Sequence, residues 1–223
     1  MKVLGICTLL MGLVLISGSA SADSVAVQNA SFEQIGASGL PNPCGTGCAY
    51  NSGPVPGWTI AGTGGGSWQP GPTGTYFNQA LPDGSTVGYV NGTLTQDLDV
   101  ALLANTQYTL TVDVGDRLDG FRGGWSIALD GGSVQLCSAS GQTASITPGT
   151  FAQETCTFTT GSDVPLGDLF VVLGGSGSGD NATFDAVNIT APEPSTIALE
   201  GLGLLAVALF GVLFKRKQAV DAL

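Results

Sequence analysis

Apolar and polar positions alternate with period two through much of the middle of the chain. Tyr108, Leu110, Val112 and Val114 alternate with Thr109, Thr111 and Asp113, and Trp125, Ile127 and Leu129 alternate with Ser126, Ala128 and Asp130. A strand sends successive side chains to opposite faces, so both patterns predict half-buried strands. Shorter runs at residues 25–28, 58–61, 75–79, 87–90, 93–100, 134–137, 155–159, 169–173 and 182–190 are punctuated by Gly, Pro, Asn and Asp clusters and read as further strands. Asp130-Gly131-Gly132 predicts a hairpin turn. No segment before residue 197 carries a helical period. About ten short strands on one core predict an all-β fold, a two-sheet antiparallel β-sandwich of jelly-roll type. No repeat recurs at a fixed period, which argues against a solenoid or propeller.

The two ends depart from this pattern. Lys2, the apolar run 3–16 and the small residues ending Ala20-Ser21-Ala22 have the order of a secretory signal peptide, 1–22, cleaved after Ala22. The apolar stretch 197–214, about 27 Å long as a helix at about 1.5 Å per residue, just spans a bilayer core. Lys215, Arg216 and Lys217 follow at once, so the positive-inside rule puts the tail 218–223 in the cytoplasm and the ectodomain 23–191 outside the inner membrane. Glu200 falls in the first turn of this helix, where the headgroup region and the helix dipole accept an anion.

Pro192-Glu193-Pro194, the apolar span and the basic cluster, in this order at the C-terminus, resemble the PEP-CTERM sorting signal, also labelled an ice-binding-protein C-terminal domain. The resemblance covers residues 192–217. It implies that an integral-membrane exosortase recognises the Pro-Glu-Pro, cuts near it, and passes the protein to the cell surface or extracellular matrix. Two prolines keep the segment extended and remove backbone donors, which suits a protease-like groove.

Charge and cysteine usage fit export. The chain has a net charge of −11, and the ectodomain has two cations, Arg117 and Arg122, against fourteen carboxylates. Nucleic acid is excluded as a partner on these grounds. Cys7 leaves with the signal peptide, and four cysteines remain. Of the three pairings, Cys44 with Cys48 and Cys137 with Cys156 is preferred, because the first closes a glycine-rich loop and the second can staple consecutive strands. A four-thiolate zinc site is the weaker alternative, since the usual C-x-x-C spacing is missing.

Within the ectodomain, Asn29-Ala30-Ser31-Phe32-Glu33, Pro56-Gly57-Trp58-Thr59, the run 108–117 and Ala182-Thr183-Phe184-Asp185-Ala186-Val187 resemble galactose-binding-like sandwiches, common among carbohydrate-binding modules. The resemblance implies that the first and last motifs lie side by side. It also implies a structural calcium mapping onto Glu33 and Asp185, with backbone carbonyls completing the six to eight oxygens the ion takes. No other cofactor is expected.

Trp58 and Trp125 are expected in the core. Trp68, Tyr76 and Tyr89 fall in or beside Gly/Pro-rich segments, where rings can stack on a sugar while Gln69, Asn78, Gln79 or Asp83 accept hydroxyl hydrogen bonds; the alternative is that these rings cap the sandwich ends. Arg117 with Asp116 and Asp119 reads as a salt-bridged loop. The chain contains no histidine and the ectodomain no lysine, so Ser-His and Cys-His chemistry is impossible, and nothing singles out a carboxylate pair for glycoside hydrolysis. Glycines 62–66 precede no helix and do not form a phosphate loop. The expectation is an exported, non-catalytic surface protein that associates with exopolysaccharide. A structural or adhesive matrix protein without a sugar site is the alternative, and a carbohydrate-active enzyme the least favoured.

Overall fold

A computed structural model describes residues 22–164, 167–177 and 181–192 of the chain. The expected signal segment up to residue 21, Glu193, Pro194 and the expected helix 197–214 lie outside these residues. Among the described residues no helix is long and apolar enough to cross a membrane. The strands are β1 (Ala22–Val25), β2 (Asn42–Gly45), β3 (Cys48–Tyr50), β4 (Thr59–Gln69), β5 (Val87–Ala101), β6 (Gln107–Gly115), β7 (Gly124–Gly131), β8 (Val134–Gln142), β9 (Phe151–Thr159), β10 (Asp168–Ser176) and β11 (Ala182–Pro192). A 3₁₀ turn at Thr143–Ser145 joins β8 to β9.

All pairings are antiparallel, as the alternation predicts. One layer runs β8-β7-β10-β5-β4-β3-β2. The other is built on β11, with β6 and then β9 on one side and β1 on the other. β5 belongs to both layers. Gly88, Tyr89 and Val90 pair with β11, whereas Gly92 to Ala101 pair with β10. The strand turns from one layer to the other opposite a β4 bulge between Gly62 and Gly64, where Gly62 and Gly92 hold φ of +115° and +132°. A Cβ on Gly92 would drive into the Ala61 carbonyl, so this crossing demands glycine.

The core between the layers is what period-two patterning requires. Tyr108, Leu110, Val112 and Val114 from β6 are buried with Ile127 and Leu129 from β7, Leu169, Val171 and Leu173 from β10, and Phe184 and Ile189 from β11. Trp58 and Trp125 are core residues, as expected. Trp58 stacks on Phe32 at 5.4 Å and donates its indole N–H to the Asn29 carbonyl. The Asn29 side chain in turn ties its own loop to Gln34 and Pro56. The first two sequence motifs therefore form one plug at the end of the sandwich.

Four features differ from the expected pattern. Residues 75–79 form a loop and not a strand, because Gly74 at φ +93° turns the chain there. The first strand is Ala22–Val25 rather than 25–28, set by pairing with β11. Two short strands, β2 and β3, lack any alternation and escape sequence reading. A second, smaller apolar cluster around Cys48, Trp68, Phe77 and Val87 lies apart from the main core.

Both preferred disulfides form. Cys44–Cys48 closes the β2–β3 turn, and Cys137–Cys156 bridges β8 in one layer to β9 in the other, with Cα atoms 5.8 Å apart. A cross-link over 19 residues limits the unfolded chain by about 3 kcal/mol. Replacing both Cys137 and Cys156 with Ala is expected to lower the melting temperature by roughly 6–12 °C in differential scanning calorimetry.

Candidate functional site

The register of β4 and β5 separates two faces. Val90 points into the main core, so its neighbours Tyr89 and Asn91 point away from it. They pair with Gly66 and Gly64, and Trp68 lies further along the same face. The space beside Gly66 is taken by the Asn51 carbonyl, whereas Gly64 leaves a hollow beside the rings. Loops around Tyr76, Phe121 and Gly177 rise about it, and the result is an open cleft of about 890 Å³ lined also by Tyr50, Ser52, Arg117 and Asn181.

The cleft is aromatic and carries one cation. The Arg117 guanidinium lies 4.3 Å from the centre of Trp68, 5.3 Å from Tyr76 and 5.0 Å from Phe121. Its Nε donates to Asp119 Oδ1 at 3.1 Å, and a second contact joins Nη2 to Oδ2. The expected Arg117–Asp119 pair forms, but the buried Asp116 pairs instead with Arg122, at 3.0 Å. Cation–π contact of this kind is worth about 0.5–2 kcal/mol as the site dries. It fixes a positive charge in a wall of rings.

The tyrosine hydroxyls are committed to backbone. Tyr76 donates to the Cys44 carbonyl at 3.1 Å and Tyr89 to the Asn51 carbonyl at 2.6 Å. Burial pushes the Tyr89 phenol above its ordinary range, with Tyr50 adding to the shift against a lowering bond from Ser52. With their protons committed to those carbonyls, both hydroxyls offer an incoming molecule oxygen lone pairs rather than protons. Arg117 supplies the strong donors, and the described lining contains no carboxylate.

Three of the four predicted ligand residues, Trp68, Tyr76 and Tyr89, meet in this cleft. Trp68 does so from within β4, edge-on to Tyr76 at 5.0 Å. Gln79 does not join them; it lines a separate hollow with Gln69, Phe77 and Leu81. Tyr50, Asn91, Arg117 and Phe121 complete the lining without a sequence pattern that marks them as ligand residues. Gly64 holds the missing signal, since a strand position without a side chain and with nothing over it leaves room for a guest.

Glu33 and Asp185 both reach the loop 83–86. Asp185, wholly buried on β11, accepts N–H bonds from Asp83 at 3.0 Å and from Ala186 at 2.8 Å. Burial raises its carboxyl to about 7, with the charges of Asp83 and Asp113 adding. Glu33 is exposed and takes bonds from the backbone and hydroxyl groups of Ser85 and Thr86. Its partial burial raises the pKa, but those four bonds outweigh it and hold the carboxyl below its usual range. The first and last motifs are thus joined through a shared loop. Of the sorting motif, Pro192 ends β11, its backbone paired with Ala22.

Residues 23–190 match a family model described as HpiC1-like, HpiC1 cyclase, and residues 190–217 match the PEP-CTERM protein-sorting motif. Among curated proteins none matches the chain in sequence. The fold is similar to an apo cyclase from Fischerella sp. at 28% identity, covering 79% of this chain and 100% of that one, with a TM-score of 0.64. The Stig cyclase Fisc from Fischerella sp. TAU, solved with (3Z)-3-(1-methyl-2-pyrrolidinylidene)-3H-indole, is 28% identical over 77% of this chain and 98% of its own, with a TM-score of 0.63. A cyclase from Fischerella sp. TAU solved with 4-(1H-indol-3-yl)butan-2-one is 28% identical over 78% and 100%, with a TM-score of 0.62. These matches overturn the expectation of a non-enzyme. Missing histidine and lysine exclude one kind of nucleophilic chemistry, but cyclisation is not confined to it.

Two outcomes test this geometry. A Cβ at Gly66 would drive into the Asn51 carbonyl, whereas one at Gly64 meets nothing within 4 Å. Gly66→Ala is expected to cost about 1–3 kcal/mol and Gly64→Ala within about 0.5 kcal/mol, read by urea unfolding. In calcium-free buffer the folded state retains the Asp185 proton above the ordinary carboxylate range. The associated stability is present below about pH 4 and is lost as pH rises through about 7. Asp185→Asn should flatten that slope in melting curves taken from pH 4 to 8.

Proposed function

We propose, for a chain that belongs to the HpiC1-like cyclase family, that the ectodomain is an exported cyclase whose cleft takes a flat, electron-rich aromatic molecule of the indole class. The aromatic wall of Trp68, Tyr76 and Phe121 is the observation that carries this reading. Ring faces stack on an indole and exclude water from it. Arg117 already lies against these rings, so they favour a neutral, electron-rich guest stacked beside the guanidinium. Arg117, steered by Asp119, donates to a carbonyl or hydroxyl on the guest, and the Tyr76 and Tyr89 oxygens accept from an indole N–H. Ligands carried by the Fischerella cyclases are of this class.

Sorting supplies the setting. The PEP-CTERM motif supports export behind a signal peptide, retention by the helix 197–214 and cleavage by an exosortase near Pro192, Glu193 and Pro194. The cell surface or its exopolysaccharide matrix is then where the domain works. A structural calcium held by Glu33 and Asp185 belongs to the same reading, supported by their convergence on the loop 83–86 and by the surplus negative charge around a buried carboxylate.

Calorimetric titration of the ectodomain with 4-(1H-indol-3-yl)butan-2-one tests the cleft. Saturable binding with a dissociation constant of roughly 1–100 µM is expected. Gly64→Leu, which fills the open space beside the rings, should weaken it at least tenfold. Heat signals indistinguishable from dilution would sink the proposal. For the ion, chelation with EDTA is expected to lower the melting temperature by several degrees, restored by calcium and not by magnesium.

A further inference from the structure

The Cys44–Cys48 bridge holds the back of the cleft. Trp68 donates its indole N–H to Cys48 Sγ at 3.3 Å, and Tyr76 donates its hydroxyl to the Cys44 carbonyl at 3.1 Å. Both rings lie against Arg117, and Cys44 itself lines the cleft. Besides the bridge, Cys48 packs in the second apolar cluster and Asn51 bonds Ser67 and Tyr89, but the strand pairing of this segment is sparse. β2 pairs with β3 alone, through three residue pairs, and β3 joins β4 through two, Ala49 with Gln69 and Tyr50 with Trp68. Between the cysteines, Gly45 at φ +140° and Gly47 at φ +70° adopt backbone states that cost an unbridged chain the most entropy to hold. None of these residues belongs to the main core, whereas Cys156 does.

We infer that the Cys44–Cys48 disulfide positions the aromatic wall, so that the cleft is assembled only when this bond is oxidised, while Cys137–Cys156 holds the fold. Reduction is a two-electron step. A dithiol such as dithiothreitol attacks the bond and gives up two hydrogens, Cys44 and Cys48 become thiols, and the reagent closes to its own cyclic disulfide. With the bond open, the edge hairpin loses its only covalent closure, and Trp68 and Tyr76 lose fixed partners. In a reducing cytoplasm both pairs are thiols, so neither the Cys137–Cys156 staple nor the Cys44–Cys48 closure is present there. The site matures after export, where disulfides persist.

The test compares the ectodomain with its Cys44→Ala/Cys48→Ala variant, following the ¹⁵N–¹H indole resonance of Trp68, assigned by loss in Trp68→Phe. In the variant this signal is expected to shift and broaden, while the resonances of Trp58 and Trp125 stay in place. Affinity for 4-(1H-indol-3-yl)butan-2-one should fall at least tenfold. An unmoved Trp68 resonance with unchanged affinity would overturn the inference. Should the variant fail to fold, the wild type is titrated with dithiothreitol, and alkylation with mass spectrometry identifies which cysteines are reduced at each point. Loss of the Trp68 signal must then track Cys44 and Cys48 rather than Cys137 and Cys156, and the opposite order overturns it. The affinity readout rests on the proposed ligand class, but the Trp68 resonance does not. If the oxidised protein ignores the indole ketone, the ligand reading fails, and the resonance still decides the role of the bridge.

Discussion

One strand cannot lie in two layers without a break, and β5 solves this with glycine. At Gly92, opposite Gly62, the β4–β5 ribbon leaves the layer of β10 and joins the layer of β11. Any side chain at Gly92 would strike the Ala61 carbonyl, so the bend exists only because the sequence places glycine on both strands there. The candidate site depends on this bend. Past it, Tyr89 and Asn91 face away from the core, Gly64 leaves space opposite Asn91, and the loops that close the sandwich can rise around that space. The cleft is a by-product of how the two layers share a strand.

Much of the fold is legible in the chain. Residues with strict alternation, as in β6 and β7, become buried strands because one face of each has a core to meet. The disulfides are legible because four cysteines in an exported chain have few partners. The rest escapes for physical reasons. β2 and β3 are only four and three residues long at the end of the sheet, too short for a period to mark them. The stretch 75–79 reads as a strand because Tyr76 and Phe77 are apolar, yet those rings serve the second cluster from a loop. Aromaticity marks Trp68 and Tyr89 as candidates, but Arg117 reads as a surface charge, since two of its ring partners, Trp68 and Tyr76, come from segments far from it in sequence. Reaction class is the least legible. Absence of histidine and lysine is informative about nucleophiles and proton shuttles, and silent about catalysis by shape and ring faces.

Electrostatics divides the molecule into two regions of different character. Around Asp185 the carboxylates crowd, and burial keeps a proton on the site. Across the cleft a single guanidinium is held among rings, with Asp119 balancing it. The first arrangement fixes the loop 83–86 against β11, and that loop continues into β5, whose Tyr89 forms part of the cleft. Anchoring the acidic end therefore steadies the aromatic one.

The pairing of Ala22 with Pro192 brings the two ends of the ectodomain together on the same edge, and β11 is gripped on both sides, by β1 and β5 on one and β6 on the other. Any pull entering the domain after Pro192 runs along the length of that strand. Its hydrogen bonds are then loaded all at once in shear instead of opening one by one like a zip, which is the geometry that best resists being torn open by flow or drag.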